Sequence, residues 1–81
     1  ETFLGLPMAI EASKKGGTMP AVFNAANELA VRKFLHQEIN FLDIYEIIGQ
    51  SMGRHHIKEN PGLEEILAAE KETYQWIESR W

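Results

Sequence analysis

The segment Gly16–Leu35 constrains the fold of this chain more than any other, because its apolar residues have the spacing of a long amphipathic helix. When successive residues are placed 100° apart around a helix axis, these residues form one arc. Its members are Phe23, Ala26, Ala30, Val31, Phe34 and Leu35. Asn24 and Asn27 fall inside the same arc. Burying an amide without partners costs roughly 1–3 kcal/mol, so we expect these two side chains to have a specific role.

Two helices are predicted in the first half of the chain. The first runs from Pro7 to about Lys15, because proline suits the first helical position and the Gly16-Gly17 pair stops the helix. Thr18 is of a type preferred at helix N-caps and predicts the start of the second helix. That helix continues to about His36.

Two further helices are predicted in the second half. The third begins near Leu42 or Asp43, and Gly53 ends it. Its apolar spacing is that of a one-sided helix, with Ile44, Ile47, Ile48, Ser51 and Met52 on the inner face. A polar connector at 54–61 follows, and the last helix begins between Asn60 and Gly62 and runs to the C-terminus. The inner face expected for the last helix consists of Leu63, Ile66, Leu67, Tyr74, Ile77 and Trp81.

Four amphipathic helices with short connections predict an all-α fold, a small antiparallel four-helix bundle. The 81 residues form a single helical domain, 1–81. The net charge of −4 and the isoelectric point near 5.3 argue against a nucleic acid or an anionic membrane as partner. The chain has no cysteine, which excludes disulfides and thiolate metal sites.

The residues leave two interpretations of Asn24 and Asn27. In the first, the amides form a structural polar core by capping a neighbouring helix end or connector, and Glu28 joins them from the edge of the arc. In the second, they bind a ligand or position a partner domain. We prefer the first, because a small bundle has buried helix ends and few other polar groups to satisfy them. It predicts that Asn27→Leu destabilises the domain.

Glu70 is a second polar residue within an apolar face, between Tyr74 and Ile77 on the last helix. A solvated edge position, or a carboxylate docked on a helix N-terminus, accounts for it. A catalytic carboxylate would need a cleft and a second acid or base nearby, and the sequence offers no convincing partner. We therefore assign Glu70 to the structural polar core and expect no catalytic residue in this chain.

The histidines and glycines predict no cofactor site. His55 and His56 are adjacent in a polar connector, and neither HExxH-type spacing nor cysteine accompanies them or His36. The run 16–18 precedes a helix but lacks the spacing of a phosphate-binding loop, and no strand precedes it. We therefore expect no cofactor-binding and no metal-binding residue here.

The two tryptophans are candidates for an interface. Trp76 and Trp81 lie on different sides of the last predicted helix. At least one of them is therefore expected to be exposed, or covered by something outside this chain. Because a large exposed apolar side chain often marks an interface, Trp76 is the first position to inspect.

Several segments together match a known pattern over nearly the whole chain. They are Gly16–Thr18, Pro20–Val22, the NAANE run Asn24–Glu28, Ala30–Val31, Phe34–Leu35, Ile39–Ile44, Pro61–Glu70 and, upstream, Phe3–Ala12. In this order they closely resemble the C-terminal helical domain of the 1-deoxy-D-xylulose 5-phosphate reductoisomerase family, and the NAANE run is a fairly specific signature. The sequence departs from the family at three positions: Leu4 replaces the usual proline, Gly62 the usual serine and Glu70 the usual aspartate. None of the three positions belongs to the catalytic, cofactor-binding or metal-binding residues of the family.

The resemblance implies an enzyme whose chemistry lies elsewhere. Members of this family rearrange and reduce 1-deoxy-D-xylulose 5-phosphate to 2-C-methyl-D-erythritol 4-phosphate in isoprenoid-precursor biosynthesis, with NADPH and a divalent metal, Mg²⁺ or Mn²⁺. Their nucleotide loop, metal ligands and phosphate-binding residues lie in two preceding domains, and none of those motifs occurs here. The chain thus resembles a non-catalytic structural domain packed against the catalytic and nucleotide-binding domains of the same parent chain. The parent is expected to be a homodimer in the bacterial cytoplasm or the plastid stroma.

A stand-alone helical interaction module is the alternative. The chain begins at Glu1 without a methionine, which favours a domain cut from a longer protein. On that interpretation the 81-residue chain alone is inactive.

Overall fold

The computed structural model describes residues 5–81, and this part of the chain contains four α-helices and no strand. The helices are α1 (Gly5–Lys15), α2 (Met19–Leu35), α3 (Asp43–Arg54) and α4 (Leu63–Glu78). The prediction of an all-α domain is confirmed. The resemblance noted at Phe3 and Leu4 falls outside the described residues. No helix of the described range has the length and apolar character needed to cross a membrane.

Helix ends differ from the predictions by a few residues. α1 begins at Gly5, ahead of Pro7, and Gly53 lies inside α3. α3 ends at Arg54 because the next residue, His55, is extended, with ψ 138°. α4 stops at Glu78 rather than at the C-terminus, where Ser79 bonds back to the carbonyl groups of the last turn.

Contacts between side chains show the relative directions of α2, α3 and α4. The rings of Phe34 and Phe41 pack edge-on at 5.6 Å at one end of α2 and α3, and the Thr18 hydroxyl meets His55 at the other, so these helices are antiparallel. Tyr74 bonds Glu28 and Glu78 bonds Lys33, so α2 and α4 run in the same direction. This is the arrangement of an antiparallel bundle with short connections. α2 packs against each of the other three helices.

The core is built around small and medium side chains of α2. The buried apolar residues of α2 are Met19, Val22, Ala25, Ala26, Leu29 and Ala30. The isoleucines Ile44, Ile47 and Ile48 of α3 face them. The inner face of α3 is as predicted, with Ser51 and Met52 buried beside the isoleucines.

The inner face predicted for α4 is partly wrong. Leu63 and Leu67 are 71% and 53% exposed, whereas Ala69, Thr73 and Ile77 are buried. Small side chains let α4 approach α2 closely, so the packed face is centred on alanine and threonine. The larger leucines of the first two turns lie at its edge.

Candidate functional site

Asn24 and Asn27 lie on the exposed side of α2. Their assignment to a structural polar core inside the bundle is therefore wrong. The physical reason is that the buried face of α2 is centred on Val22, Ala25 and Leu29, which places the two amides on the opposite side of the helix. Since Asn27 is solvated here, Asn27→Leu no longer carries the cost of unpaired backbone groups. The second interpretation, in which the amides meet a ligand or a partner domain, stays open.

The exposed side of α2 carries a continuous row of uncharged residues. We call this row the outer stripe, defined as Pro20, Asn24, Asn27, Val31 and Leu35. Steps of three and four residues place its members above one another on one helix face. Leu35 is 68% exposed. The stripe therefore presents Leu35 and two amides to solvent, while Pro20 and Val31 are half-buried.

Glu28 and Glu70, also assigned to the structural polar core, lie at the α2–α4 boundary rather than in the interior. Glu28 is exposed and accepts a hydrogen bond of 2.9 Å from the Tyr74 hydroxyl, while its other oxygen lies 3.6 Å from Arg32. This bond to Glu28 raises the pKa of Tyr74. Glu70 is half-buried at the edge of the packed face of α4, as the solvated-edge interpretation expects.

Thr18 performs the linking role that the sequence assigned to the asparagines. Its side chain is fully buried, its hydroxyl accepts a 2.9 Å hydrogen bond from the Lys58 N–H, and its own N–H donates to the Lys58 carbonyl at 3.1 Å. The hydroxyl makes no capping bond to α2. Thr18 thus fastens the start of α2 to the connector between α3 and α4.

His55 completes this junction. Its Nε2 lies 2.6 Å from the Thr18 hydroxyl oxygen. Burial lowers the pKa of His55, with Glu72 acting in the opposite direction, so the neutral ring is favoured. The Thr18 hydroxyl oxygen accepts the hydrogen bond from the Lys58 N–H. Its own proton is assigned to the hydrogen bond with His55, in which the neutral ring accepts at Nε2.

Gly17 permits the close approach of the connector. Its φ is +56°, and a Cβ at this position would lie 2.5 Å from the Lys58 carbonyl oxygen and 2.7 Å from Cγ2 of Ile57. Gly16 has a similar φ of +69° but open space around it. The sequence analysis interpreted the two glycines only as the end of a helix. The presence of a second glycine, at position 17, is the sequence signal for the close approach of the Lys58 backbone.

Lys33 is a buried charge that sequence reasoning missed. Its Nζ lies 2.8 Å from Glu78 Oε1 and 3.3 Å from Glu38 Oε1, and its side chain is only 7% exposed. The hydrogen bond to Glu78 is the main cause of its raised pKa, while burial acts against it. The signal was the position of Lys33 on the same helix face as Leu29 and Ala30.

Alkaline pH is expected to destabilise the domain through Lys33. Because its pKa is raised in the folded state, its contribution is complete below the ordinary value of 10.5 and is lost as the pH rises through the folded pKa. Tyr74, whose pKa is also raised, acts in the same direction. Urea midpoints measured between about pH 9 and about pH 12 should fall less steeply for Lys33→Met in a Tyr74→Phe background than for Tyr74→Phe alone. Parallel curves would contradict this role of Lys33.

The start of α4 is incompletely capped. The Gly62 N–H donates to Glu65 Oε1 at 2.7 Å, a bond that lowers the pKa of Glu65, but glycine has no side chain to return a bond to the helix. With φ −82° and ψ 177°, Gly62 has a backbone that serine adopts without strain. Gly62→Ser is therefore expected to raise the free energy of unfolding by about 0.5–1 kcal/mol in urea denaturation. A lower midpoint for this variant would contradict the capping account.

Trp76 is covered by side chains of this chain. The guanidinium carbons of Arg54 and Arg80 lie 5.6 and 5.1 Å from the centre of its ring, within the range of cation–π contact. Trp76 and Trp81 are both half-buried and pack against the core. The expectation that at least one of them is exposed, or covered from outside the chain, is wrong, because the cover that Arg54 and Arg80 provide for Trp76 was not considered.

The part of the chain that the structure describes contains neither a metal-ligand cluster nor the strand and turn of a dinucleotide-binding motif. Within residues 5–81, no group of three or more histidine or acidic side chains is arranged to hold a metal ion. His55 is engaged with Thr18, and His36 lies beside Glu38 at 3.9 Å. NADPH binding by a Gly-rich turn requires a preceding strand, and this range has none. What the arrangement offers chemically is a rigid helix face with apolar and amide groups.

Comparison with known proteins identifies a family. The model of the family described as "DXP reductoisomerase C-terminal domain" matches residues 1–76. A curated 1-deoxy-D-xylulose 5-phosphate reductoisomerase of Lachnospira eligens is 47% identical over all 81 residues, which make up 21% of that protein. The protein of the same name from Acetivibrio thermocellus is 55% identical over 67 residues, 83% of this chain and 18% of the relative.

The relatives are much longer than this chain. A third reductoisomerase, from Bacillus pumilus, is 47% identical over 74 residues, 91% of this chain and 19% of the relative. The chain thus spans about a fifth of the length of the curated relatives it matches. No solved structure matches it.

Proposed function

Because this chain belongs to the DXP reductoisomerase C-terminal domain family, we propose that it is the non-catalytic structural domain of a 1-deoxy-D-xylulose 5-phosphate reductoisomerase. The observation that carries the proposal is the match along the whole chain to part of longer relatives of that name. The whole enzyme would convert 1-deoxy-D-xylulose 5-phosphate to 2-C-methyl-D-erythritol 4-phosphate with NADPH and Mg²⁺ or Mn²⁺. The cofactor and metal sites would lie in the other domains.

The role of this chain in that enzyme is structural. The buried core and the bonds of Thr18 to Lys58 and His55 hold α2 in a fixed position relative to the other helices. Within residues 5–81 no group of three or more histidine or acidic side chains is arranged to hold a metal ion, and we assign no reaction step to this chain. Its role is to support the catalytic and nucleotide-binding domains of the same chain.

We further propose a homodimeric parent enzyme located in the cytoplasm of a bacterium. The bacterial sources of the relatives support the location over a plastid. The stand-alone interaction module is not favoured, since the relatives carry the matching residues within a chain about five times as long.

Complementation of a truncated relative tests the proposal. The Lachnospira eligens reductoisomerase without its matching 81 residues is mixed with this chain, 1-deoxy-D-xylulose 5-phosphate, NADPH and Mg²⁺, and NADPH oxidation is followed. We expect no turnover from this chain alone and a rise in turnover when the two parts are combined. Turnover by this chain alone would overturn the non-catalytic role.

A further inference from the structure

We propose that the outer stripe of α2, continued by Phe41 and Leu42, is the surface on which the remaining four-fifths of the reductoisomerase chain docks. This inference rests on the proposed function and names the surface through which it is exerted. It also gives Asn24 and Asn27 a role consistent with their exposure.

The first argument is that the face of α2 opposite its buried side has no charged residue and ends in the exposed Leu35. One side is buried and contains Val22, Ala26 and Leu29. The other side is the outer stripe, where Val31 is half-buried and Leu35 exposed. Because the outer face of a surface helix usually carries charged residues, an uncharged outer face with an exposed leucine favours a covered position.

The second argument is that the apolar surface extends beyond α2. Phe34 lies beside Leu35 and packs on Phe41, whose ring in turn packs edge-on against Tyr45 at 5.6 Å. Phe41 and Leu42 are 49% and 69% exposed. The stripe itself extends over about 22 Å of helix. Exposed apolar side chains grouped in this way, at Leu35, Phe41 and Leu42, are characteristic of an interface.

The third argument is the distribution of charge. The chain has 8 basic and 12 acidic residues among 81, yet the outer stripe has none. Glu28 and Arg32, at its margin, pair with each other at 3.6 Å. A centre depleted of charge with charged residues at the rim is the usual composition of a protein interface.

The two amides define the chemistry of the occupant. Each carboxamide offers a carbonyl acceptor and two N–H donors. Set among Val31 and Leu35, they suit a protein surface that combines apolar side chains with free main-chain N–H and C=O groups. The length of the relatives provides such an occupant in the same chain, because about four-fifths of a reductoisomerase lies outside the matched region.

Thiol labelling measures directly whether the stripe is covered. Because the chain has no cysteine, Asn27→Cys and Leu35→Cys each introduce a single thiol on the stripe, and Gln75→Cys introduces one on the exposed side of α4 as the matched control. Each variant is prepared as the 81-residue chain and as part of a chimaera in which this chain replaces the matching residues of the Lachnospira eligens enzyme. Labelling rates are read for the introduced thiol by peptide mass spectrometry.

We expect labelling at positions 27 and 35 to slow by at least about tenfold in the chimaera, and labelling at position 75 to change by less than about twofold. Equal rates at 27 and 35 in the chimaera and the isolated chain would overturn the docking surface. Concentration-dependent protection in the isolated chain would overturn it in favour of a second copy.

The turnover of the unmutated chimaera separates the two proposals. An active chimaera with unprotected thiols disproves the docking surface and leaves the proposed function intact. A folded but inactive chimaera disproves the proposed function, and the labelling rates at positions 27 and 35 then decide the docking surface by themselves.

Discussion

Replacing Gly17 by alanine is expected to lower the free energy of unfolding by about 2–4 kcal/mol, because the new methyl group meets backbone and the residue has a positive φ. The Cβ would lie 2.5 Å from the carbonyl oxygen of Lys58 and 2.7 Å from the Ile57 side chain, with φ at +56°. The oxygen is a backbone atom and cannot rotate away. The connector must therefore move, and its bonds to Thr18 are strained with it.

Gly16→Ala is the matched control for this prediction. Gly16 has the same sign of φ, +69°, but nothing lies within 4 Å of its Cβ position. Only the conformational cost applies, so a loss of about 1 kcal/mol is expected. Urea denaturation of both variants measures the difference. Equal losses would show that the contact with the connector contributes nothing.

Thr18→Val is expected to lower the free energy of unfolding by about 1–3 kcal/mol, because it leaves a part-buried backbone N–H and a half-buried ring nitrogen without their partner. Valine keeps the shape of threonine, so the packing of this fully buried side chain is preserved. The Lys58 N–H loses its acceptor and His55 Nε2 loses its donor.

The comparison with Thr18→Ser isolates the hydroxyl. Serine keeps the hydroxyl and loses one methyl group, at a cost of about 1 kcal/mol. Denaturant unfolding should therefore rank the two variants with Thr18→Val the less stable. The opposite order would mean that methyl packing, rather than the link to the connector, explains the burial of Thr18.

The family, the number of helices and their approximate ends could be predicted from the sequence, because the local signals agree. The Gly16-Gly17 pair, Thr18 and the proline after it each mark a helix boundary by chemistry that acts within a few residues. The apolar residues of α3 are spaced so that they lie on one side of the helix, and this predicted inner face is the side that is buried.

The buried face of α2 was predicted only in part. Of the predicted arc, Ala26 and Ala30 are buried and the larger apolar residues other than Leu35 pack against the core, whereas Leu35 and the two asparagines are exposed. The centre of the buried face lies further round the helix, at Val22, Ala25 and Leu29. Alanines pack at the true interface, where close helix approach matters more than side-chain size. The burial of Lys33 was also not predicted, because it depends on ion pairs with Glu38 and Glu78 that form only in the folded chain.

The predictions about the candidate site were less accurate than the predictions about the fold. Asn24 and Asn27 were expected to link helix ends, and that link is made by Thr18 and His55. Such a link joins residues 37 positions apart, which no local pattern encodes. The exposure of the amides follows from the orientation of α2 and leads to the proposed docking surface.

The turnover of the chimaera described above tests the central claim most directly. We expect the enzyme truncated before the matching residues to be inactive, and the chimaera carrying this chain to oxidise NADPH in the presence of 1-deoxy-D-xylulose 5-phosphate and Mg²⁺. Since this chain and the replaced residues are 47% identical, the rate is expected to lie within about tenfold of the intact relative. A folded chimaera that is no more active than the truncated enzyme would contradict the account.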